Sequence, residues 1–147
     1  MKIEEISKKD IGEIKRLTRR VILESVEASD SIQEEIITDA MEHLDKNAFD
    51  SECIFLKFTD DGILGFILIQ GYWNLSDLFV LPEASGKGIG KLLFNAAKSA
   101  CLPKQEKGYI RVNSSLNAEG FYRNLGFESF TPDKEVPNFV VPLIYKF

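Results

Sequence analysis

The chain has 147 residues, 44% of them hydrophobic and 28% charged, and a formal net charge of −5. That is enough apolar material for one globular domain over residues 1–147 and too much for a disordered chain, while the acidic total argues against broad binding to nucleic acid or to an anionic membrane. No run approaches the ~18 apolar residues of a membrane span, and Met1-Lys2-Ile3-Glu4-Glu5 lacks the apolar core of a signal peptide. Cys53 and Cys101 form no Cys-x-x-Cys pair and His43 is the single histidine, so no metal site is expected. The cysteines read as small buried side chains, and a reducing cytoplasm as the expected home.

In chain order, Lys2 to Ile6 reads as a short strand. Asp10-Ile11-Gly12-Glu13 offers a capping box for a helix with Ile11, Ile14, Leu17 and Val21 on one face. A second box, Ser31-Ile32-Gln33-Glu34, opens another helix with Ile32, Ile36, Ala40, Met41 and Leu44 inward. Strands follow at Cys53–Phe58 and Ile63–Gln70, joined by Thr59-Asp60-Asp61-Gly62, whose Asp-Gly is a hairpin signal. A third strand, Leu75–Leu81, leads into Ser85-Gly86-Lys87-Gly88-Ile89-Gly90-Lys91, and a helix over Gly88–Ala100 places Ile89, Leu92, Leu93, Ala96 and Ala100 inward before Pro103. Tyr109–Asn113 is a short strand, Ser115–Leu125 a helix with Gly126 after its end, and Phe127–Thr131 with Val140–Phe147 a closing hairpin.

The glycine-rich turn between strand and helix is suited to an anion. Glycine reaches positive φ without penalty and lets the backbone approach a ligand, and a helix N-terminus presents unpaired N–H groups at the positive end of its dipole. Lys87 and Lys91 add positive charge. A Walker loop is excluded because Gly90-Lys91 is followed by Leu92, which supplies no hydroxyl for Mg²⁺. The dinucleotide fingerprint fits poorly, since Gly86-x-Gly88-x-Gly90 has another spacing and lies past the middle of the chain.

Val80-Leu81-Pro82 followed by Ser85-Gly86-Lys87-Gly88-Ile89-Gly90 resembles the pyrophosphate loop of the GCN5-related N-acetyltransferases (GNAT), Arg/Gln-x-x-Gly-x-Gly/Ala after a strand ending in Val-x-Pro. Downstream, Ser115-Leu116-Asn117-Ala118-Glu119-Gly120-Phe121-Tyr122-Arg123-Asn124-Leu125-Gly126-Phe127 resembles that family's second signature, Asn-x-x-Ala-x-x-Phe-Tyr-x-x-x-Gly-Phe. The two signatures stand in the family's order, and with their flanking strands cover most of residues 52–147. The resemblance implies a mixed α/β (α+β) fold: a mostly antiparallel sheet flanked by helices and splayed between the strands at 75–81 and 109–113.

It further implies acetyl transfer from acetyl-CoA to a primary amine of a small molecule or peptide, by direct attack without a covalent enzyme intermediate or a metal. Backbone amides of Gly86, Lys87, Gly88, Ile89 and Gly90 would take the pyrophosphate, with the Lys87 and Lys91 side chains near the phosphates and Ser85 at the phosphate-facing side-chain position. The main chain of Leu78, Phe79 and Val80 would pair with the pantetheine arm, and the Val80 N–H would face the thioester carbonyl. Tyr122 is the acid for the leaving thiolate, since a phenol of pKa ~10 is protonated at neutral pH. Asn117 either bonds the cofactor arm or caps its own helix. Asp77 is the carboxylate expected to act as base, directly or through water, with Glu24 and His43 as alternatives, and Tyr72 and Trp73 are either core or acceptor-site walls.

Ser85 and Ser115 replace the Arg/Gln and the Asn of the family signatures, which keeps open a non-catalytic acyl-CoA-binding module with the same fold. A third alternative is a structural subunit that pairs through Val140–Tyr145, a strand whose apolar content also makes a homodimer an expectation. The acceptor is unmarked by any motif, and net acidity favours a cationic one, such as a polyamine or a lysine-rich peptide.

Overall fold

The computed structural model describes all residues, 1–147, and places β3 (Ile63–Gln70) at the centre of the molecule. Phe66 and Leu68 of β3 pack on one side of the sheet, Ile67 and Ile69 on the other, and all four are fully buried. A strand covered on both faces needs apolar residues at every position, which is why Ile-Leu-Gly-Phe-Ile-Leu-Ile shows no alternation. The sheet has seven strands in the order β1-β2-β3-β4-β5-β7-β6, with β1 at Lys2–Glu5, β2 at Cys53–Thr59, β4 at Asn74–Val80, β5 at Tyr109–Ser115, β6 at Glu128–Ser129 and β7 at Val140–Lys146. Every neighbouring pair is antiparallel except β4 with β5.

Helices α1 (Ile11–Ser25) and α2 (Asp30–Lys46) cover one face, meeting Phe55, Phe66 and Leu68 through Ile14, Leu17, Val21 and Leu44. Helix α3 (Ile89–Cys101) and the short α4 (Glu119–Asn124) cover the other, through Leu93, Phe94, Ala97 and Tyr122. The α3 face is turned by one residue from the sequence expectation. Phe94, Ala97 and Cys101 point inward, whereas Leu92 is 48% exposed and Ala100 lies at the surface. The caps of both helices also sit earlier than the sequence suggests. The Ser7 N–H donates to the Asp10 carboxylate, and α2 is capped by Ser29, whose hydroxyl accepts from the Ile32 N–H at 3.3 Å. Glu34, the expected box partner of Ser31, accepts from Arg19 instead, and Gln33 turns back and donates to the Val26 carbonyl. In α2 it is Ile37, with Ala40 and Leu44, that is buried.

The β2–β3 turn follows its sequence, with Asp61 at φ 57° and Gly62 at φ 119°. β5 runs two residues further than its pattern implied, so the expected Ser115–Leu125 helix is reduced to a 3₁₀ turn at Leu116–Ala118 followed by α4. The expected strand at Phe127–Thr131 shrinks to Glu128–Ser129. β7 lies inside the sheet, paired with β5 along its whole length and carrying the fully buried Leu143, while its other edge meets β6 only at Leu143 and Ile144.

Two departures from regular pairing shape the functional region. β4 and β5 are in register only at Asn74↔Arg111 and Leu75↔Val112, and beyond Leu75 the strands diverge. On its other side β4 carries a bulge: Leu68 pairs with Asp77 but Ile69 pairs with Leu75, so Ser76 is the extra residue.

Candidate active site

The bulge at Ser76 reverses which side chains of β4 face which layer. Leu75 packs into the α3 layer, and strict alternation would send Asp77 and Phe79 there too; instead Leu78 and Val80 pack with the α3 core, and Phe79 with α1 and α2. Asp77 is thereby turned toward α2. It is 3% exposed, and its Oδ2 accepts from the Ser76 hydroxyl at 3.0 Å and lies 3.1 Å from His43 Nδ1. Burial disfavours the charged carboxylate and pushes Asp77 up, while the hydrogen bonds from His43 and Ser76 hold it down against that. The Asp77 carboxylate in turn holds His43 above the ordinary imidazole range. With Nδ1–H engaged by Asp77, the Nε2 lone pair of neutral His43 is the free basic atom.

The divergence of β4 and β5 opens a cavity of about 360 Å³ that passes through the sheet. Asn74 to Phe79 of β4 and Val112 to Ser115 of β5 form its sides. Glu35, Asp39 and His43 of α2 line it from one layer, Ala118 and Tyr122 from the other, and Pro137 and Phe139 close it from the chain before β7. Tyr122 is 6% exposed and its hydroxyl makes no hydrogen bond within the protein, yet it is not sealed off and opens on the cavity. Burial, with the Asp77 charge added, pushes the phenol above its ordinary value. Tyr122 therefore stays protonated across the physiological range.

Along β4 the backbone offers a second set of groups. The Leu81 N–H donates to the Leu64 carbonyl at 2.8 Å, and in an antiparallel ladder alternate residues bond to the same neighbour, so Phe79 and Asp77 also face β3. Leu78 and Val80 direct their N–H and C=O groups away from β3, into the gap that β5 has left. Leu78 and Phe79 line the cavity; Val80 lies just beyond it, toward the glycine loop.

The glycine loop lies at the end of β4. Gly86 and Gly88 have φ of 79° and 81°, and a Cβ built on either would meet nothing within 4 Å. Gly90 is different, with its position for a Cβ 3.0 Å from the Phe121 ring, so its small size serves packing of α3 against α4. The first bond of α3 runs from the Leu92 N–H to the Gly88 carbonyl, and the six successive amides of Gly86, Lys87, Gly88, Ile89, Gly90 and Lys91 have no acceptor in the protein. Lys87 and Lys91 are exposed and make no ion pair, and the Ser85 hydroxyl donates to the Leu81 carbonyl at 3.3 Å. Uncapped donors, a helix dipole and two free ammonium groups suit this surface to an anion.

Other expected residues lie elsewhere. Asn117 donates its side-chain N–H to the Ser25 carbonyl at 2.8 Å, tying the α4 entry to the end of α1, and does not cap its own helix. Glu24 is held by Arg20, outside the cavity. Tyr72 and Trp73 sit in the β3–β4 turn, at the other end of β4 from the glycine loop: the Tyr72 hydroxyl donates to the Ser51 carbonyl and Trp73 lies under the Lys107 ammonium. They wall a separate surface groove.

Residues 21–141 match the acetyltransferase (GNAT) domain family. The chain belongs to the GNAT family. Its curated relatives include an uncharacterized N-acetyltransferase of Oceanobacillus iheyensis, 41% identical over 58 residues (40% of this chain and 32% of that protein). Another from Bacillus pumilus is 39% identical over 75 residues, 51% of this chain and 43% of that protein. The chain thus matches only 32% and 43% of these relatives' length. Among solved structures, a GCN5-related N-acetyltransferase from Rhodopseudomonas palustris superposes with a TM-score of 0.82 at 18% identity, over 99% of this chain and 95% of that one. The PaiA N-acetyltransferase of Thermoplasma acidophilum, solved in complex with coenzyme A, gives 0.77 at 20% identity, over 99% and 98%. These likenesses establish the GNAT fold. No helix is long and apolar enough to cross a membrane.

Proposed function

We propose that this chain is an N-acetyltransferase that moves an acetyl group from acetyl-CoA directly to a primary amine, with the donor held along β4 and at the glycine loop and the acceptor entering from the α2 side. The residues present fit a coenzyme A thioester: six unpaired amides at Gly86–Lys91 match a pyrophosphate, and the outward N–H and C=O groups of Leu78 and Val80 match the amides of an extended arm. Bound there, the thioester supplies an activated acyl carbon and a thiolate leaving group.

The observation that carries the reading is the convergence of Tyr122 and the His43–Asp77 pair on one cavity from opposite layers of the sheet. A primary amine of pKa ~10.4 must lose a proton to attack, and His43 Nε2 is the group to take it. Asp77 is a positioning residue in this scheme, fixing the imidazole tautomer through Nδ1 and stabilising the imidazolium once formed. The outward amides of Leu78 and Val80 hold the acyl arm and donate to the oxygen that gains charge. Tyr122 presents its O–H to the departing sulfur. Because burial raises the phenol, full proton loss is uphill and its chief contribution is the hydrogen bond, with the thiol proton completed from solvent.

Thermal unfolding with acetyl-CoA, free CoA and ATP tests the donor assignment, since a ligand at ~100 times its dissociation constant stabilises the native state by ~2.7 kcal/mol. A shift with both CoA forms but not ATP, together with thiol release when an amine is added, is expected. A shift without thiol release for any amine would favour the non-catalytic acyl-CoA-binding module, in which the serines at 85 and 115 reflect lost turnover.

A further inference from the structure

The wall of the cavity formed by α2 carries Glu35, Asp39 and His43 at intervals of four, so the three side chains stand in one row along the helix. Burial increases along the row: Glu35 and Asp39 are exposed, His43 is about a third exposed, and the row ends on the buried Asp77. Neither Glu35 nor Asp39 is bonded to any cation of the chain, unlike their neighbours Glu34, Glu42 and Asp45, which meet Arg19, Lys46 and Lys15. Like charges four apart destabilise a helix by about 0.2–0.5 kcal/mol, so the Glu35–Asp39 pair is not explained by helix stability, although Asp39 also adds to the negative field that holds His43 up. No lysine or arginine lines the cavity.

A second observation points to a ligand in the same space. The Tyr122 hydroxyl, on a side chain 6% exposed, opens on the cavity without a partner. The carboxylates do not converge as metal ligands would, since no group of three or more such side chains could hold a metal ion. They are instead spread along the helix, at about 6 Å per four residues. A row of anions at that pitch fits an elongated cation with charges separated by an aliphatic spacer.

We propose that Glu35 and Asp39 form a subsite for a second cationic centre of the acceptor, so that the acceptor is a linear aliphatic diamine or polyamine. This rests on the acetyl-transfer reading. The far ammonium stays protonated between the two carboxylates. The near nitrogen gives one proton to His43 Nε2 and forms the N–C bond as the thioester C–S bond breaks, and the sulfur leaves as a thiolate that then takes a proton. A cavity of about 360 Å³ closed on one side by Pro137 and Phe139 suits a small molecule better than a peptide chain.

The test compares diaminobutane with butylamine, which differ by one ammonium group, in the native protein and in a Glu35→Gln/Asp39→Asn double variant. The proposal expects kcat/KM for diaminobutane to exceed that for butylamine by about tenfold or more, in line with a charge-assisted contact, with the difference mainly in KM and the ratio falling toward one in the double variant. Added salt should lower the ratio as well. Equal efficiency for the two amines, a ratio that survives the double substitution, or preference for a lysine-rich peptide over diaminobutane would overturn it. An acetyl-CoA-induced thermal shift retained by the double variant shows that it is folded. Calorimetric binding of diaminobutane without acetyl-CoA reads the subsite separately: binding that the double variant loses supports it even if no acetyl transfer is seen, and that second result counts only against the transfer reading.

Discussion

The two ends of the functional region use different parts of the polypeptide. At the glycine loop every group offered is a backbone amide at Gly86–Lys91 or an unpaired surface ammonium. In the cavity the groups are side chains, His43, Asp77 and Tyr122, brought together from α2, β4 and α4. A backbone site tolerates changes of side chain but not of φ, whereas a side-chain site tolerates neither loss of its groups nor of the bulge that aims them. Ser85 in place of a larger polar residue is therefore a modest departure, since its hydroxyl bonds its own chain and the amide row does not depend on it.

That contrast can be broken most severely at Gly88. Gly88→Asp should remove acetyl-CoA binding, a loss of ~100-fold or more, because it puts a β-carbon on a left-handed backbone and a negative charge beside an uncapped helix N-terminus. The space there is open, so Gly88→Asn, which tolerates the same φ and adds no charge, should bind far better by titration calorimetry. If both bind alike, conformation rather than charge limits the loop.

Comparable in size but opposite in kind is His43→Gln, expected to lower kcat by ~10²–10⁴ while leaving acetyl-CoA affinity near native, the signature of a lost general base. Tyr122→Phe should reduce kcat by about 10²-fold, again with little change in acetyl-CoA binding; unchanged turnover removes Tyr122 from its role.

A pH profile sharpens the division between His43 and Asp77. His43 must be neutral to accept a proton and Asp77 raises its pKa, so kcat should rise with pH through a value above the ordinary ~6.5. In Asp77→Asn the carboxylate that stabilises imidazolium is gone, and the rising limb should move to lower pH with a reduced plateau. A limb that stays in place would contradict the positioning role.

The smallest effect belongs to Gly90. Gly90→Ala sets a methyl 3.0 Å from the Phe121 ring, which is partly exposed and can shift, so a loss of about 1 kcal/mol in unfolding free energy is expected without selective loss of acetyl-CoA binding.

Most of the fold was legible because its signals are local. The β2–β3 hairpin announces itself in Asp61-Gly62, and the loop into α3 in glycines that need positive φ. The acetyltransferase signatures in the sequence lead to the family that residues 21–141 match, and the expected splay appears as the short β4–β5 register. What the sequence did not disclose are tertiary choices between near-equal alternatives. Phe94 and Ala97 win the inward face of α3 over Leu92 and Ala96 because the helix is set by its packing on β2–β4. Ser29 rather than Ser31 caps α2, and Glu34, the box partner that Ser31 would need, is engaged by Arg19 of α1. The bulge at Ser76 has no composition signal, and without it the position of Asp77 opposite His43 cannot be deduced. The Glu35, Asp39, His43 spacing was in the sequence, but only the cavity gives it meaning.

The division of donor binding from proton removal between separate parts of the site is tested most directly by titrating acetyl-CoA into His43→Gln and Gly88→Asp while measuring thiol release with an amine acceptor. Near-native binding with little turnover is expected in the first and no binding in the second. Lost binding in His43→Gln, or retained binding in Gly88→Asp, would contradict it.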